Sequence, residues 1–525
     1  MINKLIEFYN AVIKRVSYWL PLLVLTLIGY GFSAANPTVG IDDLARDIYI
    51  GDGRAMFAAT RWGMNLWTKI MSTAEYIPGL DHLIGIMFLV CASIMFSFLF
   101  YSMSNNKQYS FKYTVFSCLF ITYPIINEIW EYNGANFMVA GNMFIVAGVL
   151  AYMEYHKHLD WKTIVICGIP MSLVASSYET GLFVYIASVL MIVFYKYCVL
   201  NKPHKNKEWF IEGASYIPAL ALSVLIRVVV GVLIIKLLSL TYRVNGGAFI
   251  DLDLSDFLYN AILYIFNSLV YFPITILIIM LVLLFVYSIA LCRKNGDSLP
   301  FVMFVLVALS LFGQAILVVG EMPYRTAHTL IVFAGFCGYL FMEFIEERFD
   351  RKVYLIAFCA FMYLAYQQGV CLDTLLTLNH VRAENEARIA TQIGYTLQSQ
   401  HEDKPVLFVG RYSLGDYLED NVFIGYDKWN DKLYRIIRNF KDPNEKYKAI
   451  HTNINSNLSW SVDAFGDQRM IKAYFSYLGF DIELVEGFNT NLYDQNLEKA
   501  KDYNMKPYEI RDEGDYLLVF LGVAE

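Results

Sequence analysis

Eleven apolar stretches divide most of the chain, at residues 17–35, 80–102, 112–127, 135–153, 161–177, 180–197, 213–239, 263–291, 299–320, 327–345 and 352–371. A helix needs about 20 such residues to cross the hydrocarbon core of a bilayer, and shorter helices suffice where they pack inside protein. In lipid every backbone N–H and C=O must find its partner within the chain, which favours helices for stretches of this kind. Only 17% of the residues are charged, against about 25% in an average soluble chain. The expected fold is an α-helical polytopic membrane protein with about 11 transmembrane helices. Connections between the third and sixth stretches are so short that one of them also reads as re-entrant. No internal period of about 20 to 50 residues stands out, which leaves repeat architectures without support.

Short loops on alternate sides of these stretches differ in charge. One side carries 16 Lys and Arg, from Lys4, Lys14 and Arg15 to Arg348, Arg351 and Lys352; the other carries six, Arg46, Arg54, Arg61, Lys69, Arg243 and Arg325. By the positive-inside rule the N-terminus is expected in the cytoplasm and the segment after about residue 372 outside. The first stretch also resembles a signal peptide, with Lys14 and Arg15 before it and small residues at Ser33, Ala34 and Ala35. Its length favours an uncleaved helix.

Residues 1–379 hold 24 Lys and Arg and 24 Asp and Glu, so the net charge of −7 belongs wholly to the tail. No basic excess speaks for nucleic acid as a partner. The tail, 380–525, alternates strand-like runs at 404–410, 448–451, 481–485 and 516–520 with helical patterns near 428–440, 467–478 and 492–504. Such alternation predicts a C-terminal soluble α/β domain, here expected outside the membrane. It holds no catalytic motif and reads as a positioning element. The domain organisation expected is therefore 1–379, with a long first outer loop at 36–79, and 380–525. All eight cysteines lie in or beside the apolar stretches. They have neither zinc nor redox spacing and read as small core residues.

Polar residues near lipid are costly, so those expected at the outer surface carry the most information. The first outer loop opens with Gly40-Ile41-Asp42-Asp43-Leu44 directly after the first helix. Two readings of the acidic pair stand open. Repulsion between adjacent carboxylates raises the affinity of one for a proton, as a general base requires, or lets the pair hold a divalent cation. Alternatively Asp42 caps a helix and Asp43 complements its dipole. Further on, Arg54, Arg61-Trp62, Trp67 and Lys69 among apolar residues predict a helix lying in the interface, its cations facing headgroups or a lipid phosphate.

Three more clusters share that side: Asn127-Glu128-Ile129-Trp130-Glu131-Tyr132-Asn133, Ser177-Tyr178-Glu179, and Glu321-Met322-Pro323-Tyr324-Arg325-Thr326-Ala327-His328. Acids and rings suit a sugar, which assigns Glu128, Glu131, Tyr178, Glu179, Glu321, Tyr324 and His328 to sugar or acceptor binding. Each cluster alone also reads as an interfacial belt with local ion pairs. Arg325 suits a phosphate, because a guanidinium binds two oxygens at once. Arg227 lies inside the apolar run 221–238, where an arginine costs about 2.5 to 3.5 kcal/mol even on the lenient insertion scale. It is expected to neutralise either a buried acid or a lipid phosphate.

Gly40-Ile41-Asp42-Asp43-Leu44, Arg61-Trp62, Glu179 and Pro323-Tyr324-Arg325 together resemble the bacterial Gtr glucosyltransferases, which modify O-antigen and related surface glycans within the GT-C class of polytopic glycosyltransferases. The resemblance is architectural over the whole chain and rests on short motifs. It implies a sugar, glucose, moved from polyprenyl phosphate to a surface polysaccharide or its lipid-linked precursor, with inversion. It also implies Asp43 or Asp42 as the acid of the first outer loop, phosphate held by Arg325, Arg61 and Arg227, and a lipid flippase and a polyprenyl-phosphate glucosyltransferase as pathway partners. A polysaccharide polymerase or ligase is the nearest alternative. A transporter or lipid flippase, which would show internal repeats and broken helices, is the alternative from another class.

Overall fold

The computed structural model describes residues 1–38, 54–71, 78–104, 108–130, 136–156, 160–200, 207–241, 275–313, 326–400, 404–410, 468–486 and 490–522. Contacts divide the chain into two compact units, Met1–Asn36 with Asp52–Thr374, and Pro37–Gly51 with Leu375–Glu525.

The first unit is helical: α1 (Val16–Ala35), α2 (Trp62–Met71), α3 (Pro78–Met103), α4 (Phe111–Ile121), α5 (Asn136–His156), α6 (Trp161–Ser177), α7 (Thr180–Val193), α8 (Ile217–Leu237), α9 (Thr275–Asn295), α10 (Leu299–Leu311), α11 (Thr329–Arg348) and the start of α12 (Arg351–Gln400). Among the described residues seven helical stretches are long and apolar enough to cross a membrane: α1, α3, α5, α7 with its continuation to Val199, α8 with the helix preceding it, α11 and α12. The chain is thus a polytopic membrane protein. Helices α4, α6 and α10 are apolar but shorter. Helix α4 shows why length alone undercounts such elements, since every residue from Lys112 to Ile121 is buried. A helix sheathed by others does not have to match the bilayer.

Aromatic packing fills the middle of this unit. Phe100 of α3 stacks on Phe336 and Tyr339 of α11 at 5.5 and 5.1 Å, and Phe116 of α4 lies 5.5 Å from Phe100. Near these rings charges are buried in pairs. Lys112 and Lys196, expected as loop cations, instead lie on helical turns with only 2% and 6% of their surface exposed. Lys112 meets Glu343 at 3.4 Å and Glu346 at 3.7 Å. Lys196 meets Glu154 at 2.5 Å and also Glu212, while Tyr216 donates to Glu154. Counting charges by loop does not register burial, so this pairing was invisible to it. The residues Phe194–Val199 wind as a π-helix. Its wider turn lets neighbouring Tyr195 and Lys196 serve different partners, Glu343 at 2.8 Å and Glu154.

The expected last span ended at residue 371, but α12 runs unbroken for 50 residues. What changes near residue 379 is polarity. The sequence after it, Asn379-His380-Val381-Arg382-Ala383-Glu384, contains no proline or glycine that would stop a helix.

The second unit has a three-stranded sheet in the order β1–β3–β2, from β1 (Val406–Val409), β2 (Ile510–Asp512) and β3 (Leu517–Phe520). Strands β1 and β3 are parallel, and β2 is antiparallel to β3. A parallel bridge from Val406 to Leu484 marks the expected strand at 481–485. Side chains alternate between two cores. Val406, Phe408, Leu517 and Val519 pack with Ala390 and Ile393 of α12 and Phe475 of α13 (Gln468–Tyr477). Leu407, Val409, Leu518 and Phe520 pack with Ala500 of α14 (Thr490–Asp502). A sheet buried on both faces needs apolar residues at every position, as these four-residue runs supply. The expected strand at 448–451 and helix near 428–440 lie outside the described residues.

Candidate functional site

Helices α6 and α7 are joined by only two residues, Tyr178 and Glu179. Glu179 stands at the N-cap of α7, yet its side chain makes no capping hydrogen bond. It turns to two arginines instead. Arg61 donates from Nη2 to Glu179 Oε2 at 2.9 Å and from Nε to Oε1 at 3.3 Å, a two-pronged contact that a guanidinium is shaped to make. Arg227 donates from Nη2 to Glu179 Oε1 at 2.6 Å.

The partner of Arg227 explains how an arginine persists in an apolar run. The helical stretch that carries it begins at Glu208, 19 residues earlier, and Glu179 lies 18 residues beyond the start of α6 at Trp161. At a rise of about 1.5 Å per residue these two lengths nearly match, and the Arg227–Glu179 hydrogen bond sets the two residues at one level. Although central in its own helix, Arg227 is level with a helix junction, and its charge is met by an acid. Of the two expectations for it, an acid partner is the one seen, although Glu179 is only partly buried, with 31% of its side chain exposed.

Arg61 is set in place by the backbone before it. Thr60 has φ of 59°, a region where a β-branched side chain is strained at a cost of about 1–3 kcal/mol. A Cβ on Gly231 would stand 2.8 Å from Thr60 Cβ and Cγ2, and one on Gly63 would stand 2.3 Å from Ser176 Oγ. Both glycines permit the segment around Arg61 to lie against α8 and α6. Trp62 completes the seat by donating its indole N–H to the Arg227 carbonyl at 3.3 Å.

Tyr178 and His328 extend the cluster. Arg61 lies 5.9 Å from the centre of the Tyr178 ring, the Tyr178 and His328 rings are 6.0 Å apart, and Thr180 Oγ1 is 2.9 Å from His328 Nδ1. Burial pushes the His328 imidazole down to about 3, so the ring is neutral. Burial pushes the Glu179 carboxyl up, but the charges of Arg61 and Arg227 and the Arg61 hydrogen bonds outweigh it and hold Glu179 below the usual carboxylate range. The trio carries one net positive charge.

Arg61, Tyr178, Glu179, Arg227 and His328, drawn from four separate stretches of sequence, are therefore brought together. Glu128 lies on the short helix Asn127–Trp130, and its side chain is outside the described set. Asp42, Asp43, Glu131, Glu321, Tyr324 and Arg325 lie outside the described residues. Among the described residues no three His, Cys, Asp or Glu side chains group as a metal site. Sequence reasoning missed Thr60, Gly63, Thr180 and Gly231, and read Trp62 only as an aromatic anchor and part of a motif. The spacing of Arg227 and Gly231, four apart and so on one helix face, was a usable signal for close approach there.

The helix after Arg61 packs one face on protein and exposes Leu66 and Ile70 on the other. Met64, Asn65 and Trp67 are buried, Trp67 against Phe88 at 5.6 Å. An amphipathic pattern reports that one face is apolar but not whether lipid or protein covers it.

Fold and site define a polytopic helical membrane protein with an acid and two arginines gathered where helices meet. Residues 31–342 match the family model described as Glucosyl transferase GtrII, and the chain belongs to this family of glucosyltransferases. The match contains all five converging residues and stops before α12. A comparison with curated protein sequences finds no match.

Proposed function

We propose that the protein moves glucose from a polyprenyl-phosphate donor to a surface polysaccharide or its lipid-linked precursor on the outer face of the cytoplasmic membrane. The observation that carries this reading is Arg227. It commits one N–H to Glu179, while a guanidinium has five, so four remain uncommitted among the described residues. Beside Arg61, and with Arg325 assigned the same role, it suits the phosphate of a lipid carrier. Family membership supplies the sugar transfer. The arginine that spoke for a transporter is accounted for by its acid partner.

In the proposed reaction the acceptor hydroxyl oxygen attacks the anomeric carbon. The bond from that carbon to the phosphate oxygen breaks, and its electron pair leaves with the phosphate. Asp43, with Asp42 as the alternative, takes the hydroxyl proton. A single displacement inverts the anomeric centre. Arg61, Arg227 and Arg325 stabilise the charge growing on the departing phosphate. Tyr178 and His328, with Glu128, Glu131, Glu321 and Tyr324, are assigned to the sugar or acceptor. A divalent cation at the aspartates is compatible with this scheme, and a flippase and a polyprenyl-phosphate glucosyltransferase would supply the donor.

The test is transfer of labelled glucose by the purified full chain. Undecaprenyl-phosphate glucose should serve as donor and a nucleotide glucose should not. Transfer from the nucleotide sugar alone would overturn the assignment. A reporter fused after residue 525 should be active only outside the cytoplasm, and cytoplasmic activity would refute the orientation.

A further inference from the structure

We infer that Glu179 is a positioning residue that holds Arg61 and Arg227 together as one clamp for phosphate and offsets one of their two positive charges. This rests on the phosphate reading above and reassigns Glu179, which sequence reasoning had placed among the sugar-binding residues. Three donors occupy its two oxygens, at 2.6, 2.9 and 3.3 Å. A carboxylate with both oxygens engaged by cations has little left to offer a sugar hydroxyl. An independent observation agrees: Glu179 occupies an N-cap and forgoes capping. A residue retained only to start α7 would turn its oxygen to the helix amides. Here both oxygens accept from guanidiniums instead.

The charge of the clamp has a chemical consequence. The donor is a phosphodiester with one negative charge, whereas the released carrier is a monoester approaching two. Two arginines without an acid would favour that product over the donor and slow its release, which is a common limit on turnover. Two guanidiniums without an anion between them also repel, so until a phosphate binds they would drift from the aim that turnover needs. Glu179 opposes both effects. Its carboxylate is the anion that organises the pair while the phosphate is absent.

The experiment uses the full chain in detergent or nanodiscs, with farnesyl phosphate as probe and farnesol as control, beside steady-state transfer and thermal melting. Glu179→Gln should bind farnesyl phosphate more tightly, by about fivefold or more, because a neighbouring negative charge is gone. Its turnover should fall about 10- to 100-fold, since the arginines are no longer aimed. Glu179→Asp keeps the charge on a shorter arm, so it should keep wild-type affinity for the probe and recover part of the turnover. A merely structural role would lose affinity, turnover and melting temperature together, and that pattern would overturn the inference. Wild-type turnover in Glu179→Gln would overturn it as well. If the wild-type chain binds farnesyl phosphate no better than farnesol, the phosphate reading itself fails. Should Glu179→Gln not fold, Glu179→Asp decides: weaker probe binding with no turnover recovered refutes the positioning role.

Discussion

The indole N–H of Trp62 reaches the backbone carbonyl of Arg227 at 3.3 Å, across 165 residues of sequence. The residue next to Arg61 thus holds the helix that carries the second arginine of the cluster. Arg227→Lys preserves the charge but loses the fork, so transfer should drop about tenfold or more while the protein still folds. Trp62→Phe keeps the ring and removes one hydrogen bond, worth about 0.5–1.5 kcal/mol. It should lower turnover less than Arg227→Lys. Equal turnover in wild type and Arg227→Lys would take Arg227 out of the site.

Close approach at Gly231 gives a second test. A methyl group there meets Thr60 at 2.8 Å, and overpacking of this kind costs about 1–3 kcal/mol. Because Thr60 precedes Arg61, Gly231→Ala should depress transfer beyond its effect on melting. Gly31 of α1 has nothing within 4 Å of an added Cβ. As a helical glycine in open space, Gly31→Ala should leave transfer unchanged and hold or slightly raise stability. Matched behaviour of the two variants would refute the packing argument.

Much of the helical architecture was legible because lipid leaves few alternatives. Stretches such as 180–197 and 327–345 read as helices from apolar length alone, and they correspond to α7 with its continuation and to α11. The five residues of the cluster were legible one by one, as polar groups in costly places. Their pairing was not. An apolar run fixes the position of Arg227 along its own helix but says nothing about the level of the helix beside it. For the same reason Lys112 and Lys196 read as loop cations, since their partners Glu343 and Glu154 are 231 and 42 residues away. In the second unit β1 and β3 were visible as continuous apolar runs. Strand β2, Ile510-Arg511-Asp512, is a short polar edge that pairs through its backbone and leaves no pattern.

The buried Lys112–Glu343 pair predicts an asymmetric response to mutation. Lys112→Met leaves Glu343, 5% exposed, without its cation, and an uncompensated buried charge costs about 3–5 kcal/mol. Tyr195 still donates to Glu343 at 2.8 Å, so the protein should fold but melt well below wild type. Adding Glu343→Gln to Lys112→Met removes the stranded charge and should restore most of the loss. Additive losses in the double variant would show that the pair is not coupled.

His328 predicts how stability depends on pH. Its folded value, about 3, lies below the ordinary 6.5 or so of histidine. Above pH 6.5 the ring is neutral in folded and unfolded chains alike, and its contribution is intact. As pH falls from about 6.5 toward 3 the unfolded chain takes up the proton first, and stability drains away by about 2 kcal/mol by pH 5. His328→Asn, which keeps an atom for Thr180, should therefore show a smaller difference in melting temperature between pH 7 and pH 5. An unchanged difference would mean that the ring protonates in place.

Asp42 and Asp43 adjoin, so a turn or helix start aims only one of them at any given point, and they should not be equivalent. Asp42 follows Gly40-Ile41 and is the one that the sequence predicts to cap, a role whose loss costs about 0.5 to 2 kcal/mol and which asparagine also fills. In the proposed mechanism Asp43 is then the base, and losing a general base costs a rate factor of about 10² to 10⁴. Asp43→Asn should yield folded, membrane-inserted protein with little transfer, while Asp42→Asn should be milder. Farnesyl phosphate binding should be unchanged in Asp43→Asn, because the phosphate is assigned to the arginines. The measurement is labelled transfer from undecaprenyl-phosphate glucose by each purified variant. Near-normal turnover in both would refute the carboxylate mechanism, and the reverse ranking would exchange the roles of the two residues.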